Sequence, residues 1–297
     1  MSTQIIEEKI TFKTQAKEFW EHFSENKGAV VGLGLVLSFV VLALLAPLIS
    51  PHGASEVFPG MLRLPPIWAD GGTTQFLLGT DDLGRDVLSR LIWGAQISLF
   101  VGVSIVVIST VTGTLLGLMA GYFGGKVDTV IMRMIDILMA YPSILLAIIV
   151  VSVIGPGLTN AIIAVALVNI PSFTRLVRAN VLEIKERQFV MAAQTFGAGP
   201  WRIMIKEILP NCMATLIVQT TLGLSEGILS TAALGFLGLG VQPPTPEWGI
   251  MLSDARPYIQ SSPWLVTFPG LCILAVVLGL NLFGDGLRDA LDPKLKR

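Results

Sequence analysis

The sequence predicts an all-α membrane protein of six transmembrane helices with both termini in the cytoplasm. Three observations carry that reading. Hydrophobic residues make up 53% of the chain and charged residues only 14%, against about a quarter charged in soluble domains. Uncharged runs near twenty residues recur, each able to cross a ~30 Å hydrocarbon core at ~1.5 Å per residue. Lys and Arg divide sixteen to four between alternate connecting segments, and the basic segments stay inside. The net charge of −1 leaves no electrostatic footprint for nucleic acid, so none is expected as a partner.

Residues 1–27 carry five Glu and four Lys. The apolar run after them is too long for a cleavable signal and lacks a small-x-small site, so it is expected to remain as an anchor in membrane lipid. Thr14–Asn26 gathers Phe19, Trp20 and Phe23 on one helical face among charges, the pattern of an interfacial helix. The first span is read as Gly28–Ser50, between Lys27 and Pro51. A long outer loop, rich in Pro and Gly until Asp81, fills residues 51–96. The second span is Ile97–Tyr122 and the third Ile137–Ile154. A Gly155-Pro156-Gly157 turn leads into the fourth, Leu158–Phe173. The fifth is Cys212–Leu234, and the sixth, after a second outer loop at 235–263, is Trp264–Phe283. This divides the chain into an N-terminal part, residues 1–96, and a five-helix core, residues 97–297.

The inner segment from Arg175 to Asn211 is a polar island of 37 residues holding six of the 20 Lys and Arg. Ala192, Ala193 and Gly197 make a small-residue patch, and Gly199-Pro200 is expected to break the helix. A smooth patch flanked by charge suits docking of a soluble partner, with Gly197 allowing close approach. Within the spans, Glu226 is the one carboxylate deep in an apolar run. Such a group is costly and faces a cavity or a partner. Glu226, with Gln219 and Asn169, is therefore the candidate lining of a transport path; the alternative is a structural acid near the outer interface. Asn160 and Asn281 are weaker candidates. Glycines at 113, 117 and 121, and at 28 and 32, allow close helix packing, within the chain or against a second subunit.

On the outer side, Asp81, Asp82, Arg85, Asp86 and Arg90 form a charged cluster, with Thr80 or Asp81 expected to cap the second helix. These five, with Glu247 and Trp248 of the second outer loop, are the candidate contacts for an external protein; local ion pairing is the alternative. No phosphate loop is present, because Gly124-Gly125-Lys126-Val127 lacks the hydroxyl and the upstream Gly. The chain is thus expected to bind no cofactor itself. His22 and His52 stand without Cys, Asp or Glu at ligand spacing, and Cys212 and Cys272 lie in or beside apolar runs, so neither a metal site nor a disulfide is expected.

Four stretches resemble a known family. Met191-Ala192-Ala193, then Gly197, then Ile208-Leu209-Pro210 are similar to the cytoplasmic E-A-A-x-x-x-G loop of ABC importer permeases, with Met191 replacing the leading Glu. Leu78–Arg90, Leu234–Gly240 with Pro243–Met251, and Gly284–Asp289 through Asp292-Pro293-Lys294 resemble the C-type permease subunits of dipeptide and oligopeptide importers. Gln96 stands where such sequences often have Arg. The resemblance implies a type I importer (MetI-like) fold. It also implies a homologous B-type permease, two cytoplasmic ATPases that bind ATP and Mg, and a periplasmic peptide-binding protein. Met191, Ala192, Ala193, Phe196, Gly197, Leu209 and Pro210 would then couple the ATPases to the spans. The competing expectation is a proton-coupled peptide carrier that uses Glu226.

Overall fold

A computed structural model describes residues 12–291, and within them the regular structure is helical, with one isolated antiparallel bridge between Thr80 and Asp86. The Asp292-Pro293-Lys294 end of the C-terminal resemblance lies outside the described residues. An amphipathic helix, α1 (Phe12–Glu25), leads into α2 (Lys27–Leu44) and a single turn, α3 (Ala46–Ile49). Asn26 caps α2, its side-chain oxygen accepting from the Ala29 N–H at 3.1 Å. Phe23 of α1 is buried against Phe283 of the last helix. The first span therefore breaks at Leu45, where Pro47 restarts the chain as α3.

Next comes α4 (Val87–Phe123), far longer than the predicted second span. It begins ten residues earlier because Asp86, and neither Thr80 nor Asp81, caps it, with its carboxylate accepting from the Leu88 and Ser89 N–H groups. Thr80 instead ties the outer loop together, donating to the Met61 carbonyl and accepting from the Leu64 N–H. The boundary read at residues 96 and 97 falls inside this continuous helix.

The predicted third span is not one helix. α5 (Gly125–Met139) and α6 (Ser143–Ile154) meet at 93°. Pro142 has no N–H to donate and drives the residue before it out of helical geometry, which explains the elbow. α6 has only 12 residues, ~18 Å, short of the ~30 Å core. α5 is tied to the bundle by ions: Arg178 grips Asp128 through two bonds of 2.5 and 2.6 Å, and Arg175 reaches Asp136 at 2.7 Å.

α7 (Leu158–Ile184) starts where predicted and continues eleven residues past Phe173, through a buried Pro171. It lies against α4 at Gly113, Gly117 and Gly121. A methyl at Gly117 would stand 2.7 Å from the Thr174 carbonyl oxygen, and one at Gly113 2.5 Å from Phe173 Cβ. Gly32 of α2 likewise abuts Gly279 of α12. Of the two packing alternatives, these stripes serve contacts within the chain. The inner segment then folds as α8 (Gln188–Thr195), a short turn α9 (Pro200–Arg202) and a π-helical stretch, Ile203–Ile208. α10 (Leu209–Phe236), α11 (Trp248–Ala255) and α12 (Trp264–Leu291) complete the bundle. Among the described residues five helices are long and apolar enough to cross a membrane, and the bent α5–α6 pair makes six spans if counted as one. Cys212 and Cys272 are both free thiols.

Candidate functional site

The inner knuckle is a short helix with one face nailed down and one face bare. Val190 of α8 is fully buried in a cluster with Val181, Ile184, Ile203, Met204 and Ile208. Met191 and Ala192 are exposed on the other side, and Phe196 is 89% exposed, the most open large apolar residue among the described ones. The helix ends by a hydrogen-bonded reversal. Gly197 holds φ at +79°, its N–H donates to the Gln194 carbonyl at 2.9 Å, and the Ala198 N–H donates to the Ala193 carbonyl at 3.0 Å. A left-handed residue at this place satisfies carbonyls the helix would leave open, and only glycine adopts it without steric cost. One expectation changes here, and a second acquires a local cause. α8 has already ended when Gly199-Pro200 is reached, and nothing in the chain lies within 4 Å of a Gly197 Cβ. Within this chain Gly197 serves a turn, not a close approach. Beside it, Ala193, Phe196, Gly197, Ala198, Arg202 and Glu207 line a hollow of about 230 Å³. Leu209 is half-buried against the same core, and Pro210 sits exposed in the first turn of α10.

The expected path residues separate into two groups. Glu226 is exposed, half-buried Gln219 lies seven residues earlier on the same face of α10, and Leu222 falls between them. No cation stands within 4.0 Å of Glu226 among the described residues. Gln219 also lines a cavity of about 470 Å³ between α7, α10 and α12. Asn169 is elsewhere: it is 4% exposed on α7, and its amide nitrogen has no partner among the described residues. Asn160 caps α6, donating to the Ile154 and Gly155 carbonyls at 3.0 Å each, and Asn281 is half-buried.

The outer cluster is an interlocked clasp. Asp81 accepts from Arg85 Nε at 2.5 Å and lies 3.4 Å from Arg90 Nε. Arg85 also faces Asp82 at 3.9 Å and Asp254 of α11 at 3.8 Å. Arg90, 2% exposed, donates through Nη1 to the carbonyls of Ala54 at 3.2 Å and Pro244 at 3.3 Å, so it binds both outer loops at once. Burial, with Asp81 as the added like charge, raises the Asp82 pKa, and burial raises that of Asp254. Glu247 caps α11, accepting from the Gly249 and Ile250 N–H groups, and Ser98 of α4 donates to it at 3.4 Å. Trp248 is wholly buried, packed on Gly94, with its Nε1–H donating to the Leu91 carbonyl at 3.1 Å. The sequence puts Glu247 and Trp248 in an open loop, whereas the structure makes them part of the core. Asp254, Ser98 and His52, whose Nδ1 lies 3.2 Å from Asp86, join this outer face without any local sequence signal.

Residues 113–297 match the family described as the binding-protein-dependent transport system inner membrane component. Residues 14–66 match the N-terminal TM domain of oligopeptide transport permease C. The di/tripeptide transport system permease protein DppC of Pseudomonas aeruginosa is 55% identical, over 97% of this chain and 95% of its own length. The dipeptide transport system permease protein DppC of Haemophilus influenzae is 53% identical, over 96% and 97%. The glutathione transport system permease protein GsiD of Pectobacterium atrosepticum is 43% identical, over 96% and 93%. Among solved structures, the MetNI methionine ABC transporter in an inward-facing conformation aligns with a TM-score of 0.56 and 21% identity, over 68% of this chain and 96% of that one. That likeness speaks for the MetI-like fold alone. With the family match covering well over half its residues, the chain belongs to the binding-protein-dependent transport system inner membrane components.

Proposed function

We propose that this chain is the C-type membrane subunit of an ATP-driven importer, passing dipeptides or short peptides from a periplasmic binding protein across a bacterial inner membrane. Identity above half with two dipeptide permeases along nearly the whole chain supports the cargo. One geometric observation carries the mechanism: α8 presents Met191, Ala192 and Phe196 outward from a mount buried in the same cluster as the start of α10. An apolar surface of this kind, rigidly backed, suits a groove on a soluble subunit.

The chain itself is the conduit; hydrolysis of ATP with Mg belongs to two cytoplasmic ATPase partners, and a B-type permease completes the bundle. Closure of the ATPases pushes α8, and Leu209 with Pro210 carries that displacement into α10. The bundle thus has two states, biased from inside by nucleotide and from outside by the loaded binding protein. On the outer face, Asp82 and the exposed Leu83 are the accessible part of the clasp, and Asp81, Arg85, Asp86, Arg90, Glu247 and Trp248 hold that surface from behind. The proton-coupled alternative has no comparable support, since the family is dependent on binding proteins.

The test is uptake of radiolabelled dialanine by the complete complex in proteoliposomes. It should be ATP-dependent, blocked by vanadate and indifferent to a protonophore. Gly197→Asp should abolish uptake while the complex still assembles. Uptake that collapses with the protonophore at constant ATP, or that proceeds at the normal rate in Gly197→Asp, overturns the reading.

A further inference from the structure

The cavity that holds Gln219 carries more chemistry than a passive wall requires. Its volume of about 470 Å³ falls in the ~300–1,000 Å³ range of small-molecule sites. Leu176 of α7 and Leu222 of α10 give it an apolar lining, and Thr215 and Gln219 add a hydroxyl and an amide. The last turns of α12 contribute Asp285 and Arg288. Both are exposed, and neither has an opposite charge within 4.0 Å among the described residues. The next acid along, Asp289, is by contrast engaged, accepting from Asn26 Nδ2 at 3.1 Å.

Side chains three residues apart on a helix have Cβ atoms about 5–6 Å apart. A free dipeptide carries one charge of each sign, as this pair does. Its two Cα atoms are ~3.8 Å apart across the peptide bond, and the ammonium and carboxylate each lie one bond further, roughly 6 Å in all. We propose that Asp285 and Arg288 form an inner release site for zwitterionic dipeptides, Asp285 taking the ammonium and Arg288 the carboxylate. Gln219 hydrogen-bonds the peptide unit, the Thr215 hydroxyl being engaged with the Cys212 carbonyl and the Asn180 amide, and the leucines accept any apolar side chain. This rests on the import reading above. Guanidinium suits the carboxylate because it offers two parallel donors. Both charges stay hydrated at an open mouth, which keeps the hold weak and lets cargo leave.

The probe is a photoreactive dipeptide, photo-leucine–alanine, added to the nucleotide-free complex in detergent, with cross-links mapped by mass spectrometry. Labelling should fall on the Thr215–Leu222 segment of α10 or on Leu176. Dialanine should compete with it, and N-acetyl-dialanine amide, which lacks both charges, should not. Arg288→Gln and Asp285→Asn should each lower labelling about three- to fivefold, the scale of one hydrated charge contact, with Arg288→Lys recovering part of it. Labelling elsewhere, equal competition by the blocked analogue, or labelling unchanged in both variants overturns the site. Should a variant fail to assemble, the competition on the wild-type complex still decides. Dialanine uptake by the wild type separates the two readings. Uptake with charge-blind labelling sinks only this site, whereas absent uptake sinks the import function.

Discussion

Glu247 is a buried carboxylate without a cation beside it, serving the Gly249 and Ile250 N–H groups and Ser98. Burial raises its pKa, because removal from water disfavours the ionised form. The folded chain then binds this proton more tightly than the unfolded chain does. The resulting stabilisation is complete below the ordinary glutamate value of 4.5 and disappears as pH climbs through the raised one. Thermal unfolding of the purified complex should therefore shift upward as pH falls from neutrality toward that value, and Glu247→Gln should flatten the dependence. Parallel curves for the two proteins would refute it. None of this is legible locally. Glu247 lies in a Pro-rich loop that reads as surface, and its partner Ser98 is 149 residues away. Gly197 is a different case. A glycine closing a short helical stretch is a readable signal, but the sequence does not tell a turn requirement from close packing.

Among the elements, α4 depends on its cap. Asp86→Ala should cost about 1 kcal/mol, seen as faster hydrogen exchange at the amides of Leu88 and Ser89, and Asp86→Asn should keep most of the protection. Unchanged exchange in the alanine variant would show that the cap contributes nothing. The early start of α4 escapes sequence reading because Arg85, Asp86 and Arg90 look like loop charges. Asp81 pairs with both arginines, His52 faces Asp86, and Arg90 donates to the loop carbonyls of Ala54 and Pro244, which makes a helical start there affordable. The elbow in the third span was more accessible, since Pro142 marks it. The apolar residues on both sides conceal it, as hydropathy counts residues and not direction. α7 outruns its prediction because Arg175 and Arg178 look like the end of a span, while Asp136 and Asp128 supply their counter-charges.

For the molecule as a whole, the six-span plan, the inside knuckle and the family follow from composition, charge bias and motif. The conduit does not, because on the import reading proposed above one of its walls belongs to another chain. What this chain shows is a face of α10 on which Gln219 and Glu226 lie seven residues apart, open to whatever completes the path. Glu226→Gln should slow vanadate-sensitive dialanine uptake about tenfold, the scale of one lost charge contact, with the complex intact; uptake at full rate removes Glu226 from the path. Arg90 has a mechanical consequence. It fastens both external loops to the first turn of a single rod of 37 residues, ~55 Å long, whose far end is held where Lys185 donates to the Gly121 carbonyl. A docked protein tugging on either loop thus applies torque to one stiff lever that surfaces on the opposite side of the bilayer, and no slack joint in between absorbs the pull.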